Sequence, residues 1–112
     1  MQDYDLYQEL LSKTKQLDQS IRQLRYSGTE YAQSERDYKI LLRQEALKLR
    51  DGGMAIGMID KVIYGIPAVA EARFKRDVAE AVYKANMEAI NSIKLQMRLL
   101  DSQIQREWGA PS

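Results

Sequence analysis

The chain has 112 residues, of which 45% are hydrophobic and 29% are charged, and its formal net charge is only +1. A charge so close to zero argues against a general phosphate-binding protein, because such proteins depend on many uncompensated lysine and arginine side chains. Cysteine and histidine are both absent, which excludes disulfides, thiol chemistry, His-ligated zinc and every catalytic triad that needs histidine.

The chain also lacks the sequence signals of a secreted or membrane protein. Its first residues, MQDYDLYQEL, are acidic and polar, whereas a signal peptide begins basic and continues apolar. No stretch approaches the roughly eighteen consecutive apolar residues that a membrane span requires. We therefore expect a soluble, cytoplasmic protein without membrane contact, folded as a single helical domain over residues 1–112.

The first predicted helix covers residues 3–27 and has a narrow apolar seam. Leu10, Leu17 and Leu24 are separated by seven residues, so they share one heptad position. The run SGTE at 27–30 then predicts a break, since its glycine suits a left-handed C-terminal residue and its Ser or Thr can cap a new helix. One glycine costs only about 1 kcal/mol inside a helix, so a continuous, bent helix is the alternative.

The second predicted helix covers residues 30–51, and the run DGG at 51–53 ends it. Four basic side chains of this helix lie within about 60° of one another on an ideal helix. We call them the basic ridge: Arg36, Lys39, Arg43 and Arg50. The ridge is interpreted either as a solvated face with i,i+4 partners or as a docking surface for an acidic protein partner or nucleic acid.

The most apolar segment of the chain, residues 54–66, predicts a short helix at 56–64. Its apolar side chains Met58, Ile59, Val62 and Ile63 repeat at helical spacing. We expect this helix to lie as a lid across the open end of a helical hairpin. If its apolar residues are exposed instead, they form a contact with a second copy or with a partner protein.

The last predicted helix, 67–108, is the longest. It begins at Pro67, whose fixed backbone angle suits a first helical turn, and it contains no further proline or glycine. Its predicted apolar stripe consists of Phe74, Val78, Ala81, Ala85, Ala89, Ile93, Met97, Leu100 and Ile104. The mean step of about 3.75 residues exceeds the heptad value, which disfavours a long left-handed two-stranded coil and favours packing in a short bundle.

The length of this helix bears on the oligomeric state of the predicted all-α hairpin or bundle. At 1.5 Å per residue it is about 63 Å long, more than either earlier predicted helix can cover alone. The first two helices stacked end to end would cover it, and so would a second copy of the chain. We expect a homodimer, with an interface containing Ile90, Ile93, Met97, Leu100 and Ile104 of the long helix and Met58, Ile59 and Val62 of the short one.

No established catalytic or cofactor motif is present, and we expect no cofactor. The glycines do not have the spacing of a phosphate loop, and no zinc or EF-hand spacing occurs. Asp77 and Glu80 have the three-residue spacing that all-helical nucleotide pyrophosphatases use to hold magnesium, but such a site needs several converging oxygens. Magnesium-dependent nucleotide hydrolysis is therefore a remote alternative.

Nucleic-acid binding is a nearer alternative. The basic side chains considered for it are Arg73, Arg76 and Lys84, with Arg36, Lys39 and Arg43 of the basic ridge. Acidic residues interrupt this patch: Asp77, Glu80 and Glu88. Tyrosines can stack on bases, but the seam positions of Tyr31, Tyr38 and Tyr83 favour core packing, whereas Tyr4 and Tyr26 are freer.

Five runs of residues in the chain point to a known group of proteins. They are ERDYK at 35–39, LKLRDG at 47–52, RFKRDVAE at 73–80, AINSIK at 89–94 and REW at 106–108. In these runs, and over about residues 31–108, the chain resembles short helical proteins of unassigned function carried by phages and prophages of Gram-positive bacteria. The resemblance implies a phage origin and a host bacterial cytoplasm, and it assigns no site residues.

The leading hypothesis is a non-enzymatic phage or prophage protein that binds and modulates a host or phage protein, for example as an inhibitor of a host or defence enzyme. The basic ridge is its predicted contact surface. The alternative from another class is an accessory protein of DNA replication or recombination that contacts nucleic acid.

Overall fold

The computed structural model describes residues 3–109, and every regular element in that range is a helix. Helix α1 spans Asp3–Asp51, α2 spans Ile56–Val62 and continues into a 3₁₀ turn at Ile63–Gly65, and α3 spans Pro67–Gly109. The all-α class and the long C-terminal helix are confirmed. The predicted last helix, 67–108, ends one residue before α3, and the predicted short helix, 56–64, covers α2 and all but the last residue of the 3₁₀ turn. No helix in the described range is apolar over a length that would cross a bilayer.

The described chain divides into two compact units. The terminal unit comprises residues 3–26 and 84–109, and the central unit comprises residues 27–83. Within each unit a segment of α1 lies antiparallel to a segment of α3. In the terminal unit the Asn86 side chain donates a hydrogen bond to the Gln23 carbonyl over 3.4 Å, and in the central unit the rings of Tyr31 and Tyr83 lie 5.9 Å apart.

The predicted helix break at residues 27–30 is wrong, because α1 continues through Gly28 as one helix. Ser27 and Ser34 are buried, and a Cβ atom at Gly28 would lie only 3.1 Å from Cε1 of Tyr83. The glycine at position 28 leaves room for the Tyr83 ring between the two helices of the central unit. Tertiary packing thus outweighs the modest intrinsic cost of glycine in a helix.

Gly28→Leu is expected to destabilise the protein by about 1–3 kcal/mol, because the new side chain would displace the Tyr83 ring from a filled space. The measurement is the free energy of unfolding from urea denaturation followed by circular dichroism. Ala32→Leu, at an exposed position on the same helix, is the control and should change stability by less than about 0.5 kcal/mol. Equal effects of the two substitutions would contradict the proposed fit of Gly28 to Tyr83.

The inward face of α3 differs from the predicted stripe in the central unit. Phe74 is 64% exposed, and Val78 and Ala81 are also exposed. The buried and half-buried positions that repeat in alternating steps of three and four residues are Val69, Ala72, Arg76, Ala79 and Tyr83. This is the heptad spacing of about 3.5 residues, so the predicted step of 3.75 is wrong for this segment. The prediction counted apolar residues only and missed Arg76.

In the terminal unit the later part of the predicted stripe is correct. Ile90 is buried, while Ala85 and Ala89 of the predicted stripe are exposed. The inward residues of α3 alternate in steps of four and three: Asn86, Ile90, Ile93, Met97, Leu100 and Ile104. Those of α1 do the same: Leu6, Leu10, Lys13, Leu17, Ser20 and Leu24. Each helix of this unit therefore also presents a heptad seam.

The end of α1 has the geometry of a Schellman motif. Gly53 has φ = +90°, and the amides of Gly53 and Met54 donate to the carbonyls of Arg50 and Leu49 over 3.0 and 3.1 Å. This arrangement satisfies carbonyls that the helix end would leave unpaired. It also reverses the chain, so that α2 returns toward α1.

Helix α2 and the 3₁₀ turn contribute to the core of the central unit. The buried residues of this core are Tyr38, Ile59, Ile63 and Val69, from α1, α2, the turn and α3 respectively. Partly buried residues such as Met54 and Ile66 pack around them. The short segment therefore buries one face against both long helices and leaves its other face exposed.

Candidate functional site

A groove lies between the last turns of α1 and helix α2 in the central unit. It has a volume of about 310 Å³. Its lining residues are Arg43, Ala46, Leu47 and Arg50 from α1 and Ile56, Ile59 and Asp60 from α2. We call it the α1–α2 groove. The buried Ile59 and half-buried Ala46 place its floor on the core, so the core holds the groove in shape.

The walls of the α1–α2 groove expose apolar side chains. Leu47 is 48% exposed and Ile56 is 66% exposed. Single exposed apolar residues are common on protein surfaces, but these two face a shared concave space that charged residues border. Such a combination of an apolar centre and a charged rim is typical of protein-contact sites.

The basic ridge divides into two electrostatically different halves. Arg36 pairs with Asp37 at 3.2 Å, and Lys39 pairs with Glu35 at 3.6 Å, all through exposed side chains. Arg43 and Arg50, in contrast, form no ion pair with any residue of 3–109. The two uncompensated cations of the ridge are the two that line the groove.

The α2 side of the groove carries one opposite charge, the Asp60 carboxylate. Arg43 and Arg50 on the α1 side give the groove a positive excess. An incoming group therefore finds cations along one wall and an anion on the other. This asymmetry favours a partner with acidic groups on the side that faces α1.

Arginines that were considered for a composite nucleic-acid patch make contacts inside the central unit. The guanidinium carbon of Arg73 lies 5.1 Å from the centre of the Tyr64 ring, and that of Arg76 lies 4.7 Å from the centre of the Tyr38 ring. The hydrogen bond from Arg76 to Asp77 raises the pKa of the guanidinium, which is already cationic at neutral pH. These arginines serve as intrachain cation–π partners.

The carboxylates that suggested a magnesium site are engaged in separate contacts. The Asp77 carboxylate pairs with Arg76 at 2.8 Å, whereas Glu80 accepts a hydrogen bond from the Tyr31 hydroxyl over 2.9 Å. Within residues 3–109, no group of three acidic side chains has an arrangement that could hold a metal ion. Glu80 thus joins the two helices of the central unit, whereas Asp77 pairs with its neighbour on α3.

The tyrosine assignments made from heptad position are confirmed. Tyr38 is buried, and Tyr31 and Tyr83 are half-buried in the central unit. Tyr4 and Tyr26 are exposed. Seam position therefore predicted the environment correctly for Tyr31, Tyr38 and Tyr83, but not for Tyr7, which the apolar spacing also placed in the seam of the first predicted helix and which is 55% exposed.

The residues predicted to join two chains lie in different environments. In the terminal unit Ile90 is buried, and Ile93, Met97, Leu100 and Ile104 are half-buried beside the α1 segment. In α2, Ile59 is buried, Val62 is half-buried and Met58 is exposed. The α1 segment already covers much of the Ile90–Ile104 stripe, and a homodimer through these residues stays a prediction.

Two features of the surface were missed by the sequence interpretation. One is the contribution of Leu47, Ile56 and Asp60 to the α1–α2 groove; an exposed leucine midway between two ridge arginines was the available signal. The other is an apolar cleft of about 510 Å³ in the terminal unit. Its lining residues are Tyr4, Tyr7, Ile104 and Trp108.

Comparison with protein-family models, with curated proteins and with solved structures finds no match to this chain.

Proposed function

We propose that this chain is a non-enzymatic protein of phage origin that binds and modulates a host or phage protein through the α1–α2 groove. The observation that supports the proposal is the coincidence of two features in one place. The unpaired cations Arg43 and Arg50 border the groove, and the exposed apolar groups of Leu47 and Ile56 line it.

The composition of the groove favours a protein partner over nucleic acid. Covering apolar side chains such as Leu47 with another apolar surface removes them from water and stabilises the complex. A phosphate backbone offers no such surface. Affinity for nucleic acid instead grows with the number of uncompensated cations. Within residues 3–109 the basic ridge supplies only two such cations, Arg43 and Arg50. Charged groups at the rim would orient the partner and accelerate its association.

In this proposal the chain modulates its partner by binding a segment of it in the groove. A partner segment held in the groove is no longer accessible to the partner's other ligands. The groove is formed by a helix end and a short helix fixed to the same core, so it is largely formed before binding. A preformed site loses less conformational entropy on association.

The test begins with affinity purification from a Gram-positive host and identification of the captured protein by mass spectrometry. The dissociation constant of the purified partner is then measured by isothermal titration calorimetry. We expect the double variant Arg43→Glu/Arg50→Glu to bind about tenfold more weakly or worse, because both attractive contacts become repulsive.

The matched control for this experiment is Arg36→Glu/Lys39→Glu, which reverses two charges of the same ridge outside the groove. It should leave the affinity within about threefold, since exposed charges that do not line the groove make no contact with the bound partner. Equal affinity of both double variants and the original chain would remove the groove from the proposal. If the chain instead binds DNA at about 50 mM salt, and its affinity for DNA falls steeply as salt is added, the nucleic-acid alternative is favoured.

A further inference from the structure

We propose that the α1–α2 groove takes one amphipathic α-helix of the partner, carrying two carboxylates seven residues apart with apolar residues between them. This inference rests on the proposed function and specifies its ligand. The carboxylates face Arg43 and Arg50, and the apolar residues contact Leu47 and Ile56.

The spacing of the α1 wall supports a helical ligand. Arg43, Leu47 and Arg50 follow one another in steps of four and three residues, which places them on one face of α1. The two arginine Cα atoms are separated by about 10.5 Å along the axis, at 1.5 Å rise per residue. A second helix lying along α1 has the same repeat, so its residues i, i+4 and i+7 meet the three wall residues in register.

An extended ligand does not fit this wall as well. A strand rises about 3.3 Å per residue, and only every second side chain lies on the same face. Its same-face positions therefore lie at multiples of about 6.6 Å, which places none of them at the 10.5 Å separation of the two arginines. A strand with a carboxylate opposite Arg43 would therefore place its nearest same-face carboxylate about 3 Å out of register with Arg50.

The opposite wall gives the bound helix an orientation. Among the described residues, Asp60 on α2 is the one acidic residue that lines the groove. A basic side chain on the α2-facing side of the ligand would pair with it, while the same side chain turned toward Arg43 or Arg50 would be repelled. The preferred ligand has acidic residues on one flank of an apolar stripe and a basic residue on the other.

The test is a selection from a displayed library of random peptides of about 18 residues, long enough for five helical turns. The intact chain is the bait, and the Arg43→Glu/Arg50→Glu chain removes peptides that bind elsewhere. We expect the enriched peptides to share two acidic residues seven apart that flank apolar positions. Enrichment of sequences without this pair, or no enrichment, would overturn the inference.

A charge swap on one enriched peptide provides the stricter test. Arg50→Glu should weaken binding by about tenfold, and lysine in place of the facing acidic residue of the peptide should restore most of the affinity. Chemical shifts of the bound peptide should be helical, and changes in the spectrum of the chain should centre on Leu47 and Ile56. Extended peptide shifts, or rescue by lysine at any position, would also overturn the inference.

The two proposals fail in different ways. If the natural partner loses affinity for the Arg43→Glu/Arg50→Glu chain but binds as a strand or loop, the helical ligand is wrong and the proposed function stands. If the natural partner is insensitive to both groove arginines, the proposed function itself is wrong. Displacement of the selected peptide by a single-stranded oligonucleotide at physiological salt would assign the groove to nucleic acid.

Discussion

Tyr38→Ala should lower the free energy of unfolding by about 3–5 kcal/mol, the range expected for removing a large buried aromatic side chain. Tyr38 is 6% exposed and packs with Ile59, Ile63 and Val69 in the core of the central unit. Its ring also lies against the guanidinium of Arg76 at 4.7 Å. The substitution therefore opens a cavity and removes the aromatic face from the half-buried guanidinium of Arg76.

Two variants serve as controls in urea denaturation followed by circular dichroism. Tyr26→Ala removes the same atoms from a side chain that is 70% exposed on the same helix, and should cost less than about 1 kcal/mol. Tyr38→Phe keeps the ring in the core and should cost far less than alanine. A loss below 1 kcal/mol for Tyr38→Ala would show that the central core is not packed as described.

Ile63→Ala is the second substitution with a large expected effect, about 2–5 kcal/mol of lost stability. Ile63 is 3% exposed in the 3₁₀ turn and joins the short helix to the core between α1 and α3. A 3₁₀ turn has poorer hydrogen-bond geometry than an α-helix, so its position depends strongly on this side chain. Amide hydrogen exchange should accelerate over residues 56–65, because local opening requires less free energy once the buried side chain is gone.

Ile56→Ala is the matched control for this prediction. It removes a similar side chain from the same short segment, but Ile56 is exposed on the wall of the α1–α2 groove. Stability should change by less than about 0.5 kcal/mol, while affinity for the partner should fall. Strong destabilisation by Ile56→Ala, with little change for Ile63→Ala, would reverse the assigned inward and outward faces of α2.

The shape of the groove also depends on the core, because the two share a residue. Ile59 is buried in the core and forms part of the groove lining. A destabilising core substitution can therefore weaken binding without touching a contact residue. Binding should be compared only between variants whose folded fraction has been measured, and Ile56→Ala is the variant that separates the two effects.

The sequence by itself determined the helical class and most of the helix ends. The run DGG at 51–53 ended α1 because Gly53 can adopt the left-handed backbone that a Schellman motif requires. Pro67 started α3 because its fixed backbone angle matches the first turn. These are local properties of a few consecutive residues, and no distant neighbour is needed to establish them. Seam position likewise separated Tyr31 and Tyr38 from the exposed Tyr26.

Only the tertiary structure decided which residues face inward where the seam is not purely apolar. Arg76 and Asn86 hold inward positions because each finds a partner across the helix pair of its own unit, the Tyr38 ring for one and a backbone carbonyl for the other. Gly28 stays helical because the Tyr83 ring occupies the space beside it. The groove forms because α2 folds back beside Arg43 and Arg50. The free energy of a buried polar group or of a helical glycine depends on the atoms that surround it, and those atoms lie far away in the sequence.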